Sequence, residues 1–263
     1  MTDPTLSVIA PCRNEAANIA ALAARTLAAL DQAGIAGELI LIDDGSTDAT
    51  WSEIESQERR DGRVRGVRHE TNLGIEAAWR SGLQEARGRL ACLIDSDLQN
   101  RPEDIPRLYA AFVKGEGAVI QAVRHAASTM HRHRLFTRGL NGLLNLLCNT
   151  RLRDHKSGFI LCERQTLAEV LHHRFRYRYY QAMIGAAAAA RGYSIAEVDT
   201  DFDPRLHGES FLPRFPIRAS VRIVWELLKF RVELWTERPR ANPSRALEPM
   251  LDPRLARSVG QPS

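Results

Sequence analysis

The segment Asp95-Ser96-Asp97-Leu98-Gln99 sets two carboxylates and a carboxamide directly behind the apolar run Leu90–Ile94. On an extended backbone residues i and i+2 point to the same side, so Asp95 and Asp97 are expected to converge on one ion, with Gln99 adding a neutral oxygen. Hard divalent cations such as Mg2+ or Mn2+ take oxygen ligands and bridge a few protein carboxylates to substrate phosphates. The same stretch also reads as the approach to a helix, because Pro102, Glu103 and Asp104 have first-turn character. A second acidic pair, Asp43-Asp44, closes another apolar run and enters Gly45-Ser46-Thr47-Asp48. Capping the next helix needs only one of these side chains, and Ser46 or Asp48 suits it. Asp43 and Asp44 remain to accept hydrogen bonds from a ribose hydroxyl or a nucleobase edge. Asn72-Leu73-Gly74 opens a further helix, as a ligand loop or as a simple turn.

These clusters need a scaffold that brings strand ends together, and the hydrophobic pattern supplies one. Short apolar runs at Leu6–Ala10, Leu39–Ile42, Val64–Arg68 and Leu90–Ile94 alternate with helical patterns at Glu15–Ala33, Asp48–Arg60, Leu73–Ala86 and Pro102–Val113. Such alternation predicts an α/β fold with a mainly parallel sheet flanked by helices, whose ligands bind beyond the carboxyl ends of the strands. Every polar cluster named above, together with Pro11-Cys12-Arg13-Asn14-Glu15, falls at such an end. Beyond it the pattern predicts strands near Ala118–Gln121, Ser157–Cys162 and Tyr193–Val198. Helices are expected around Leu135–Cys148, Gln165–Leu171 and Tyr177–Arg191, then a loop from Asp199 to Pro216 and a last helix from Ile217 to Trp235. The division expected is a catalytic domain over 1–215, an amphipathic helix over 216–236 and a disordered tail over 237–263, where Pro239, Pro243, Pro249, Pro253 and Pro262 interrupt a stretch of weak apolar periodicity.

Composition narrows the partners without naming them. With 263 residues and 44% hydrophobic content the chain can bury a full core. A formal net charge of +4 suits phosphate-bearing ligands or an anionic membrane surface. Only Lys114, Lys156 and Lys229 are lysines, so arginine, the better bidentate phosphate ligand, dominates the 36 basic residues. Cys12, Cys92, Cys148 and Cys162 form no CxxC pair and read as buried thiols. Residues Met1–Leu6 lack the basic-then-apolar pattern of a signal peptide, and no run reaches the ~18 apolar residues of a spanning helix. The expectation is a cytoplasmic location with at most peripheral membrane contact and no nucleic-acid partner; the oligomeric state stays open.

Taken in order, these motifs resemble family 2 glycosyltransferases of the GT-A fold, and within them the dolichol-phosphate mannose synthase and polyprenyl-phosphate hexosyltransferase group. The likeness runs from Val8-Ile9-Ala10-Pro11 through Asp43-Asp44-Gly45-Ser46, Asn72-Leu73-Gly74 and Asp95-Ser96-Asp97-Leu98-Gln99 to Asp154, Ser157-Gly158-Phe159, Arg205 and Gly208-Glu209-Ser210. The resemblance implies a GT-A, Rossmann-like nucleotide-diphospho-sugar transferase fold, a GDP- or UDP-sugar donor and Mg2+ or Mn2+. It implies Asp97 and Gln99 as metal ligands, with Asp95 shared between metal and nucleotide. Pro11, Arg13, Glu15, Asp43, Asp44, Asn72 and Ser96 would line the nucleotide-sugar pocket, and Arg205 would reach the diphosphate. Arg124, Arg134, Thr137 and Ser210 would meet an acceptor phosphate. Arg13 stands where the group usually has an aromatic residue, His133 lies near the position of a usual arginine, and Thr137 replaces a frequent serine. The cluster His131-Arg132-His133-Arg134 is no metal site, since its arginines repel a cation.

The acceptor follows from what is missing. A hydroxyl acceptor needs a positioned general base, whereas a phosphate monoester, with a second pKa of about 6, is already largely dianionic at neutral pH. The Glu-Asp base motif and the Gln-x-x-Arg-Trp motif of family members that glycosylate hydroxyls are absent after Gln99, the only Glu-Asp pair being Glu103-Asp104. A lipid phosphate is therefore the expected acceptor, in one inverting displacement. The alternatives are a soluble enzyme acting on a small-molecule or saccharide hydroxyl, with Asp154 or Glu209 as base, and a noncatalytic sugar-nucleotide-binding protein. A sugar nucleotidyltransferase is excluded by the missing Gly-rich, basic loop after the first strand. In the last helix Val221, Val224, Leu228, Val232 and Trp235 recur at helical spacing beside Arg218, Arg222, Lys229 and Arg231. That face is expected either to lie on anionic lipid or to pack on the domain.

Overall fold

The computed structural model describes residues 3–124, 150–153, 157–173 and 180–203, with single positions 142, 145, 146, 177, 222, 225, 226, 228–230, 232, 233 and 236. The predicted βα alternation is present. Strands β1 (Leu6–Cys12), β2 (Gly37–Asp44), β3 (Val64–His69) and β4 (Leu90–Leu93) are separated by helices α1 (Ala16–Gln32), α2 (Thr50–Arg60) and α3 (Ile75–Glu85). A 3-10 turn, Pro102–Asp104, runs into α4 (Ile105–Val113), followed by β5 (Val119–Arg124), β6 (Ile160–Glu163), α5 (Arg164–Val170), a second 3-10 turn Tyr180–Met183, α6 (Ile184–Ala190) and β7 (Ile195–Thr200).

The seven strands form one sheet in the order β3-β2-β1-β4-β6-β5-β7. All pairings are parallel except those of β6, which runs antiparallel to both β4 and β5. Strands β1, β2 and β4 are buried almost throughout, as expected of strands covered on both faces. On one face α1, α2 and α4 close over Leu6, Val8, Leu39, Leu41 and Cys92. On the other α3, α5 and α6 close over Ile9, Ile40, Ile42, Ala91 and Leu93. Chain order reverses between β1 and β4, which opens a crevice at their carboxyl ends. The Pro11 and Asp95 segments flank that crevice.

Several expectations are adjusted. The helix expected from Tyr177 splits into the turn Tyr180–Met183 and α6, and the strand expected from Ser157 begins only at Ile160. The helix expected over Leu135–Cys148 lies outside the described residues except for helical positions 142, 145 and 146. For the last helix, the structure shows packing on the domain together with an exposed apolar face. Its described positions between 222 and 236 are helical, and it packs through Phe230, Glu226 and Glu233, all buried. Tyr177 donates its hydroxyl hydrogen to Glu233 Oε2 at 2.5 Å, and Phe230 meets the Tyr177 and Tyr180 rings at 5.7 and 6.2 Å. Trp225, Leu228 and Val232 are turned to solvent, 65%, 47% and 61% exposed. The apolar repeat read from sequence therefore marks the outer face in part, and the packed face carries two carboxylates that the pattern could not have flagged as buried.

Candidate functional site

The first two loops at the crevice are bound to each other. Asn14 takes a left-handed backbone, φ 53°, which turns the chain out of β1. Its amide donates to Ser46 Oγ at 2.9 Å, and its side-chain oxygen accepts from the Thr47 amide at 2.9 Å. The Glu15 amide donates to Thr50 Oγ1 at 2.9 Å, and the Ala16 amide donates to Asp48 Oδ2 at 3.3 Å. The opening of α1 is thus capped from the neighbouring loop, which explains why its own N-cap residue Glu15 makes no capping bond. Glu15 instead accepts from Asn18 Nδ2 at 2.5 Å, while Arg13 is exposed at the loop tip.

Asp48 thus has the capping part expected of it, but on two helices, since it also accepts from the Thr50 amide at 3.0 Å. Burial raises its pKa, and the hydrogen bonds from Thr50 and Ala16 outweigh that and hold the carboxyl below its usual value. With the folded pKa below the unfolded one, this contribution is complete above the ordinary carboxylate range and is lost as pH falls through the folded value. Asp48→Asn is expected to lower the Tm by a few degrees at neutral pH, as removal of a cap typically does. Native and variant melting curves should converge in acid; a difference independent of pH would remove this role for the charge.

Asp43 and Asp44 are neighbours with opposite duties, because consecutive strand residues face opposite sides of the sheet. Asp44 Oδ1 accepts from His69 Nδ1 and from the Leu73 amide, each at 2.8 Å, and Oδ2 accepts from the Gly74 amide at 2.8 Å. His69 Nε2 in turn lies 2.9 Å from Ser81 Oγ. Asp44 therefore holds the Asn72-Leu73-Gly74 loop and the start of α3, and both its oxygens are engaged. Asn72 is exposed and accepts from the Gly74 amide through Oδ1 at 3.0 Å. Gly45, at φ +67°, lets the two loops touch: a Cβ there would meet Asn72 N and Thr71 C at 2.5 Å. Asp43 Oδ1 accepts from the Ser46 amide at 2.9 Å, whereas its Oδ2 is buried without a hydrogen-bond partner, 3.7 Å from Arg68 Nε. A buried carboxylate oxygen without a hydrogen-bond partner is costly, and the nearby Arg68 guanidinium offsets part of that cost.

Across the crevice the chain leaves β4 and turns. Leu98 has a left-handed backbone, φ 60°, and Asp97 Oδ1 accepts from the Gln99 amide at 3.0 Å. The expected extended Asp95–Asp97 geometry is thus replaced by a tight turn, in which the Asp97 carboxylate folds back on its own loop. Ser96 donates its hydroxyl hydrogen to the Pro11 carbonyl at 2.8 Å and so ties β4's exit to β1's end across the switch point. Asn100 Nδ2 donates to Asp95 Oδ2 at 3.3 Å, and Gln181 Nε2 lies 3.4 Å from each Asp95 oxygen. The Asp203 amide donates to the Gln99 carbonyl at 2.9 Å, Asn100 bridges Phe202, and Arg101 pairs with Asp201 and Asp203 at 3.2 and 3.1 Å. The chain leading to Arg205 is therefore fastened beside Gln99.

The oxygen chemistry of this turn fits a hard divalent cation. Among the described residues no group of three or more His, Cys, Asp or Glu is placed to hold a metal ion; Asp95, Asp97 and Gln99 offer two carboxylates and a carboxamide in one buried or half-buried turn. That suits an ion completed by substrate phosphates and water rather than by a protein cage. Glu103 and Asp104 do not form a base pair at this site. Glu103 is paired with Arg25 at 2.7 Å, which holds its carboxyl below the usual range, and Asp104 pairs with Arg107 at 2.9 Å.

A match to the family model for glycosyl transferase family 2 covers residues 7–167, taking in both halves of this crevice. The chain belongs to glycosyltransferase family 2. Among family relatives, it is 34% identical over 209 residues to an undecaprenyl-phosphate 4-deoxy-4-formamido-L-arabinose transferase of Aeromonas hydrophila, spanning 72% of this chain and 62% of that protein. It is 30% identical over 230 residues to a dodecaprenyl-phosphate galacturonate synthase of Rhizobium johnstonii, spanning 85% and 65%. The chain thus spans less than two thirds of these relatives' length. In fold it is similar to glucosyl-3-phosphoglycerate synthase from Mycobacterium tuberculosis, solved with Mn2+, UDP and glucosyl-3-phosphoglycerate: TM-score 0.64, 22% identity, 87% of this chain and 80% of that one. The sheet and its helices are those of a GT-A glycosyltransferase.

For this family 2 chain the structure places Pro11, Glu15, Asp43, Asp95, Ser96, Asp97 and Gln99 in or beside the loops that end β1, β2 and β4, while Asp44 and Asn72 hydrogen-bond the loop that opens α3. Arg124 ends β5. Arg134, Thr137, Asp154, Arg205, Glu209 and Ser210 lie outside the described residues. Sequence reasoning passed over Asn100 and Gln181, which contact Asp95. Asn100 was legible by proximity, but Gln181 lies 86 residues away on a turn with no motif of its own.

Proposed function

We propose that the chain transfers a hexose-type sugar from a GDP- or UDP-sugar to a polyprenyl phosphate, with inversion, using Mg2+ or Mn2+. The observation that carries the reading is the crevice itself: an acceptor oxygen on Asp43 on one side and the Asp95–Gln99 turn on the other, joined by the Ser96–Pro11 hydrogen bond. Asp43 would accept a hydrogen bond from the nucleobase or ribose. Asp95, Asp97 and Gln99 would hold the metal, which supplies positive charge to the departing diphosphate. Arg205, two residues beyond the anchored Asp203, would add a second cationic contact as that charge builds.

The acceptor class rests on the two relatives named for polyprenyl phosphates and on the chemistry. A phosphate dianion attacks without a protein base, and the Glu103-Asp104 pair is tied up in ion pairs. The exposed Trp225, Leu228 and Val232 face supports a peripheral seat on the cytoplasmic face of a membrane carrying such an acceptor. Among the described residues no helix is long and apolar enough to cross a membrane.

The test starts with donor binding. A ligand held only by the folded state raises the Tm by mass action, so GDP- and UDP-sugars are compared with and without Mn2+. The donor that shifts the Tm is then offered to polyprenyl phosphate and to the corresponding free alcohol in anionic vesicles. Transfer to the phosphate alone is expected. Transfer to the alcohol would favour a hydroxyl-directed enzyme, and binding without any transfer or donor hydrolysis would favour a noncatalytic binder.

A further inference from the structure

The Asp95 carboxylate is held from an element that the donor-site motifs do not include. Gln181 projects from the turn Tyr180–Met183, and its Nε2 lies 3.4 Å from both Asp95 oxygens. An amide equidistant from two carboxylate oxygens bears on both at once and so holds the group against swinging toward either side. At 3.4 Å the contact is longer than an ordinary hydrogen bond, as catalytic contacts commonly are before a ligand is bound. Asn100 Nδ2 meets Oδ2 at 3.3 Å, so among the described residues two neutral carboxamides address this carboxylate.

Gly158 closes against the same carboxamide of Gln181. A Cβ on that glycine would lie 2.7 Å from Gln181 Nε2, 3.1 Å from Cγ and 3.2 Å from Cδ. The glycine cannot retreat, because its neighbours are stitched to β5: the Ala122 amide donates to the Phe159 carbonyl at 2.9 Å, and Gln121 Nε2 donates to the Ser157 carbonyl at 3.4 Å. Nor is the stem of Gln181 free to shift. Tyr180 beside it is fully buried, donates its hydroxyl hydrogen to the Val170 carbonyl, and packs at a 36° tilt on the His173 ring with centroids 4.5 Å apart.

We propose that Gln181 is a positioning residue for Asp95 in donor and metal binding, and that position 158 is glycine because the Gln181 carboxamide fills the space of a side chain there. The proposal rests on the donor reading above. Its chemistry is that of a support for a metal-site carboxylate. A neutral amide orients the carboxylate and leaves its negative charge for a cation, whereas an arginine would compete with the cation and a glutamate would repel Asp95.

Gln181→Met keeps the length of the side chain and removes the donor; Gly158→Ala keeps the donor and displaces it. Mn2+ affinity is measured with UDP, and with GDP in parallel, by the electron paramagnetic resonance of free Mn2+, alongside Tm without ligand. Each variant is expected to bind Mn2+ about 10- to 100-fold more weakly than the native chain, the scale of loss for such supporting contacts. The double variant should be little worse than Gln181→Met alone, because both changes remove the same contact. Mn2+ affinity of Gln181→Met within twofold of native, at unchanged Tm, overturns the proposal. If Gly158→Ala lowers the Tm, Gln181→Met decides by itself. A native chain that binds Mn2+ with neither nucleotide overturns the donor reading and this proposal with it, an outcome distinct from binding that the variants share.

Discussion

Asp97→Ala is expected to lower kcat/KM for sugar transfer by on the order of 10³-fold or more, the scale of removing a main source of leaving-group stabilisation. The Asp97 carboxylate is buried, next to a left-handed Leu98, and one of its oxygens holds the Gln99 amide. Alanine removes both the charge and the turn contact, so the loss from alanine alone has two readings. Asp97→Asn separates them, since its side-chain oxygen can still accept from the Gln99 amide while the negative charge is gone. If the charge matters, the asparagine variant melts near the native temperature yet has lost transfer and the Mn2+-dependent Tm shift with a nucleoside diphosphate. Turnover retained in Asp97→Asn would overturn the assignment of this turn as the metal site.

Asp44→Ala is expected to be the most destabilising change among the acidic residues of the crevice, by about 3 kcal/mol. One carboxylate satisfies the Leu73 and Gly74 amides and His69 Nδ1, and removing it leaves all three without that acceptor in a buried wall. For a domain of this size the loss corresponds to a Tm about 6–12 °C lower. Asp43→Ala is the control one residue away. It deprives the Ser46 amide of an acceptor and Arg68 of a nearby charge, so it should melt closer to native than Asp44→Ala while nucleotide affinity falls, because one of the two oxygens removed has no hydrogen-bond partner within the protein. Equal melting of the two variants would show that the division between wall and ligand contact is wrong.

These two aspartates also mark the limit of sequence reading. Both stand at the end of the same buried strand, and in the sequence they are equivalent candidates for the nucleotide. What separates them is the side of the sheet each faces: Asp44 towards His69 and α3, Asp43 towards Ser46 and Arg68. The Ser46–Asp48 segment was legible as a capping sequence, yet the helices whose openings it serves include α1, reached from Asp48 through the Ala16 amide, as well as the helix that follows it. The 95–99 motif was legible as a cluster of oxygen ligands, but the extended geometry inferred for it was not, because a backbone with positive φ at a leucine carries no sequence signal.

By itself the sequence determined the alternation of buried strands and helices, the placing of polar clusters at strand ends, and the family to which their order belongs. Those features arise from local periodicity and residue type, which act within one element and its flanking turn. Tertiary structure alone decided the strand order, the antiparallel insertion of β6 between β4 and β5, and the packing of the last helix through Phe230 and Glu233 while Trp225 stays exposed. It alone brought Gln181 to Asp95 and Gly158 to Gln181. The reason is physical: such partnerships join groups tens of residues apart, and their geometry is set by how whole elements close-pack, which no local pattern encodes.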